Sequence, residues 1–147
     1  MNIKDKILGK RISGIFNAVN ILLCLFCIIY YSINANSVKE FNSAVDLYLV
    51  LSIVCCGIYV FADHVFADIF NLLAVVFITL SIGKMIVGSI NTFADALNGI
   101  SMFGSSGVIG YIIVTAVVMV IMLVLEIVSC FLSREKKNAM KVVVSEK

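Results

Sequence analysis

Four runs of about twenty apolar residues, set apart by less apolar segments, constrain this chain more than any other feature. A helix needs about 20 largely apolar residues to cross the hydrocarbon of a bilayer. The runs fall at 14–33 around ILLCLFCII, at 44–62 around LYLVLSIVCCGIYVFA, at 65–86 around NLLAVVFITLSIGKMI, and at 108–132 around IGYIIVTAVVMVIMLVLEIVSCFL. Backbone polar groups in hydrocarbon must bond within their own segment, which leaves helices and closed barrels. A barrel strand alternates apolar and polar residues, whereas these runs are apolar all round, so helices are predicted. Residues 44–86 as one helix would reach about 65 Å, roughly twice the hydrocarbon thickness. The chain must therefore turn, and Asp63-His64, with Asp68 close by, marks the place. The expected fold is all-α: a polytopic membrane protein of four transmembrane helices in a compact bundle, with short interfacial helices.

Composition agrees. Of 147 residues, 62% are hydrophobic and 14% charged, against about 45–50% and 25% in soluble domains. This excludes a soluble enzyme, a disordered tail and a disulfide scaffold. The net charge of +2 gives no reason to expect nucleic acid. Of the 11 basic residues, Lys4, Lys6, Lys10 and Arg11 lie at the start and Arg134, Lys136, Lys137, Lys141 and Lys147 at the end. Four spans put both ends on one side, and basic flanks favour the cytoplasm. The expected organisation is a basic amphipathic arm at 1–13 on the inner surface, a membrane domain at 14–132 and a basic cytoplasmic tail at 133–147, in the cell membrane. The first span is read as an anchor, because Ala35-Asn36-Ser37 makes a poor signal-cleavage site. Tyr30, Tyr31, Tyr48 and Tyr111 fall near the outer boundary and Tyr59 near the inner one, as an interfacial aromatic belt would.

Ser37–Glu40 and Ser43–Asp46 are capping-box patterns, one of which should start the second helix. Thr92–Asp95 is a weaker box, and Asn98-Gly99 is a natural helix stop. Phe93, Leu97 and Ile100 between them suggest a short amphipathic helix on the outer surface. Ser106 and Gly110 offer a small-xxx-small helix contact.

Ionisable groups within spans are the first candidates for function. Asp46 and Lys84 lie at similar depth on antiparallel neighbours, so an intramembrane ion pair is expected. Glu126, one and a half turns from the inner end of the last span, is a possible polar or proton site; its expected partners are Arg11, Arg134 or Asn17. Asn17, Asn20 and Asn71 are read as interhelical hydrogen bonders. His64 with Asp63 and Asp68 is read as a solvated turn rather than a metal site. Cys24 and Cys27 share a helical face, and Cys55 and Cys56 lie at similar depth on the next span. This thiol cluster suits a soft ion or a redox pair, with plain packing as the simpler reading. Cys130 suits palmitoylation or no role.

No nucleophile–base pair, phosphate loop or zinc signature is present, so no enzyme and no cofactor are expected. The central turns carry no charged residue, histidine or carboxamide, whereas transporters place polar sites there. The favoured function is a non-enzymatic accessory, scaffolding or regulatory subunit acting by helix–helix association, with itself or a larger membrane protein as partner. The first alternative is a homo-oligomeric transporter of small ions or solutes using Glu126, Asp46 and Lys84. The second is a soft-metal or thiol-redox protein using the four midplane cysteines.

Overall fold

The computed structural model describes residues 3–37, 40–61, 67–99 and 109–145, with side chains over 13–37, 40–61, 68–99 and 109–131. The described residues are almost wholly helical. They form α1 (Ile3–Ser37), α2 (Ser43–Phe61), α3 (Ala67–Gly88), the short α4 (Ile90–Asn98) and α5 (Ile109–Ser145). Four helices are long and apolar enough to cross a membrane, over Ser13–Ser37, Ser43–Phe61, Asp68–Gly88 and Ile109–Phe131. The chain is thus a multi-pass membrane protein by the length and apolar character of its helices. Each observed span lies within a few residues of its predicted range. The helix is continuous through the arm and through most of the tail: α1 already runs from Ile3 and α5 continues to Ser145.

Each long helix packs on two others, α1 on α2 and α5, and α3 on α2 and α5. The buried stripe explains how. On α1 it is Ser13, Asn17, Asn20, Cys24, Cys27, Tyr31 and Ala35; on α5 it is Ile112, Thr115, Met119, Met122, Glu126 and Ser129. Steps of three and four average close to 3.5, the spacing that keeps one stripe against its neighbours along near-parallel helices. Much of what is buried is small or polar, while Leu22, Ile29 and Ile33 of α1 and Val117 of α5 are exposed. In water this order would be unstable. In lipid the tails solvate the large apolar side chains, and helices associate through close packing and interhelical hydrogen bonds.

Helix punctuation differs in detail from expectation. Asn42, not Ser43 or Ser37, caps α2: its Oδ1 accepts from the Ala44 N–H at 3.0 Å. An Asx side chain one residue ahead of the serine takes a donor one residue earlier in the same first turn. Gly99 ends α4 as expected, with φ 65° and its N–H on the Asp95 carbonyl; left-handed backbone of this kind favours glycine. Thr92 and Asp95 of α4 are buried, whereas Leu97 is 85% exposed. Within the chain a Cβ at Gly110 would meet nothing within 4 Å, so Gly110 makes no close helix approach among the described residues. Ser106, Ile100, Asp63 and His64 lie outside the described residues.

Candidate functional site

The polar part of the buried stripe converges at the end of the helices that carries both chain termini. Ser13 Oγ of α1 lies 2.7 Å from Ser129 Oγ of α5 and 2.8 Å from the Tyr59 hydroxyl of α2. One helical turn deeper, Asn17 Nδ2 donates to Ser129 Oγ at 2.8 Å and to the Ser13 carbonyl at 3.1 Å. Another turn on, Asn20 Nδ2 donates to Glu126 Oε2 and to the Met122 carbonyl, the latter at 3.1 Å. The surrounding donors and acceptors orient the Asn71 amide of α3. Its nitrogen donates to Glu126 Oε1 at 2.7 Å and to Asn17 Oδ1 at 3.0 Å, and its oxygen accepts from the Cys130 N–H at 3.2 Å. Cys56 of α2 faces the same carboxyl.

All four long helices therefore contribute to one hub, whose deepest member is Glu126, 0% exposed. Asn20 lies seven residues into α1 from Ser13, about 10 Å along the axis, so the hub reaches roughly a third of the way through. The asparagines are interhelical hydrogen bonders, as read from sequence. Glu126 was expected to meet Arg11, Arg134 or Asn17; its amide partners are instead Asn20 and Asn71, with Asn17 one bond further out. The side chains of Arg11 and Arg134 lie outside the described residues.

Toward the other end the hub gives way to a sulfur-rich apolar layer that includes Cys24, Cys27, Leu49, Ile78, Met119 and Met122. All five cysteines are free thiols. Cys24 and Cys27 pack in this layer, while Cys55 and Cys56 pack separately with Ala74. Among the described residues no three of His, Cys, Asp and Glu gather as a metal-ligand set.

A second polar group closes the opposite end. Glu40, between α1 and α2, accepts from Thr92 Oγ1 of α4 and from the Tyr111 hydroxyl of α5, the latter at 3.0 Å. The Tyr31 hydroxyl accepts the Asn42 N–H at 3.2 Å. Tyr31, Tyr59 and Tyr111 are buried, so these three hold helices together instead of forming an outward-facing belt. Asp46 accepts from Ser32 Oγ at 2.6 Å. Lys84 is exposed, and no ion pair joins it to Asp46 among the described residues; a hydroxyl in the neighbouring helix supplies the donor that the lysine was expected to supply.

A cleft of about 310 Å³ opens between α3 and α5 beside the hub. Asp68, Asn71, Leu72, Ile127 and Cys130 line it, among others, so Asn71 belongs to both cleft and hub. Comparison with protein-family models, with curated proteins and with solved structures finds no match.

Proposed function

We propose that the protein is a non-enzymatic accessory, scaffolding or regulatory subunit of the cell membrane, its helices forming a compact bundle with both termini in the cytoplasm. It docks through its helices to a second copy or to a larger membrane protein. The observation that supports this reading is the division of each long helix: hydrogen-bonding side chains turn inward and are largely taken by one another, while large apolar side chains turn outward. Recognition is then left to shape and packing in the bilayer and to the basic helical extensions. The pairing of Ser13 with Ser129 supports both termini lying on one side, and their lysines and arginines favour the cytoplasm for that side. In this reading α4 lies in the opposite interface, with Ile90 and Leu97 toward the acyl chains.

A route through one protomer has little support. Glu126 is at one end and Asp46 at the other, with the layer of Leu49, Ile78, Met119 and Met122 between them. Extraction of the full chain in mild detergent should yield an assembly larger than a monomer, with a defined partner or a fixed copy number. A lone monomer that carries ions across liposomes, with flux lost in Glu126→Gln, would replace this reading with transport. A C-terminal reporter read from the external side would overturn the orientation.

A further inference from the structure

The helix-association reading makes no use of Glu126 beyond packing, yet its surroundings are unusual for a merely structural group. The carboxyl is wholly buried. Each of its oxygens accepts an amide N–H, from Asn20 and from Asn71. Amides disperse negative charge without cancelling it. The other titratable groups around the hub are Cys24 on α1, Cys55, Cys56 and Tyr59 on α2, Asp68 one turn before Asn71 on α3, and Cys130 on α5. None of these is basic. Among the described residues the carboxyl has no counter-charge, and buried carboxyls are paired, protonated or bound to a cation.

A second feature is independent of the charge. Asn20 Oδ1 is buried and has no hydrogen-bond partner, although the same amide donates twice through its nitrogen. Buried polar atoms of this kind are rare and call for an unseen donor, water or ion. The orphan atom is an oxygen on the residue that touches the carboxyl. Asn20 Oδ1 and Asn17 Oδ1, the latter bonded to the same Asn71 amide as Glu126, add two neutral oxygens to the residues at the carboxyl, the donor type a hard cation takes. One negative charge among neutral amides balances a single positive charge, whereas a divalent ion would leave excess charge in a low-dielectric interior. The cleft between α3 and α5 brings an opening to Asn71.

We propose that Glu126, Asn20 and Asn17 form a binding site for a small monovalent cation, a proton or an alkali-metal ion, reached from the end that carries the chain termini. Occupancy ties α1 to α5 through the counter-charge and through Asn71 to α3. The site is one-ended, since the sulfur-rich layer closes its far side.

The test uses the full-length protein in lipid nanodiscs, with sodium chloride exchanged for choline chloride at constant ionic strength and pH. If an alkali ion is the ligand, Tm rises saturably with sodium, as mass action requires of a ligand that binds only the folded state. Glu126→Gln removes the rise, and Asn20→Ala raises the apparent Kd for sodium about tenfold or more. If the proton is the ligand, sodium has no effect. The infrared spectrum then shows a neutral carboxyl that is absent in Glu126→Gln and that ionises as pH is raised. Both signals are read on the wild-type protein, so a variant that fails to fold does not spoil the test. A Tm indifferent to sodium together with a Glu126 carboxylate ionised throughout the accessible pH range would overturn the proposal. Neither result bears on which protein the outward faces meet.

Discussion

The two ends of this molecule use similar chemistry to different effect. At the terminal end Ser13, Asn17, Asn20, Asn71, Tyr59, Glu126 and Ser129 come from four helices and are all buried. At the other end Glu40 lies between helices and is only partly buried, yet it too gathers two hydroxyl donors, from α4 and α5. At the loop end the donors Thr92 and Tyr111 are buried but Glu40 is reached by solvent, so water can enter where its carboxylate is removed. A bond lost in the hub leaves a buried donor or acceptor with nothing to bind, which costs about 1–3 kcal/mol for each group. The energetic weight of a polar contact here follows from what would take its place.

That contrast can be broken from either side. Glu126→Ala strands the Asn20 and Asn71 amides and opens a void, so equilibrium unfolding in mixed micelles should show a loss of about 3 kcal/mol. Gly99→Ala forces a Cβ into left-handed backbone and should cost about 1–2 kcal/mol. That loss should appear as faster hydrogen exchange in α4, with the hub amides unchanged. Glu40→Ala should cost about 1 kcal/mol, because Glu40 is half-buried and the space it leaves admits water to the Thr92 and Tyr111 hydroxyls that it otherwise covers; a loss matching that of Glu126→Ala would erase the distinction between the ends. Ser13→Ala and Ser129→Ala, taken singly and together, should couple by about 0.6 kcal/mol, the usual worth of an interhelical hydrogen bond in a membrane. Lys84→Met should change stability by less than about 0.5 kcal/mol, as expected of an exposed side chain without a partner. A larger loss would restore the Asp46–Lys84 pair.

Much of the fold was legible because hydrocarbon thickness is a coarse ruler. Four runs of about twenty apolar residues permit few arrangements, and Asn98-Gly99 marks its helix end through backbone geometry alone. The hub was legible only in pieces. Asn17, Asn20, Asn71 and Glu126 each stood out, but their convergence depends on how four helices are rotated about their axes, which hydropathy does not report. The available signal was the alternation of three- and four-residue steps through Ser13, Asn17, Asn20, Cys24 and Cys27, a polar and sulfur stripe on an otherwise greasy helix. Tyr31, Tyr59 and Tyr111 sit toward the helix ends as read, but depth leaves open which way a hydroxyl turns: a tyrosine near a membrane boundary can face headgroups or a neighbouring helix, and these three face helices. Equal depth alone also suggested Asp46 with Lys84, whereas the structure gives Asp46 the Ser32 hydroxyl and leaves Lys84 exposed.

The unbroken course of α1 and α5 past the membrane has a mechanical consequence. About 15 Å of α1 precedes Ser13, and about 21 Å of α5 follows Phe131, at 1.5 Å per residue. Each extension joins its transmembrane segment without a hinge of irregular backbone. A pull or twist on either extension would be delivered as torque to the serines where α1 and α5 touch. The chain ends would then act as handles on the buried carboxyl beneath them.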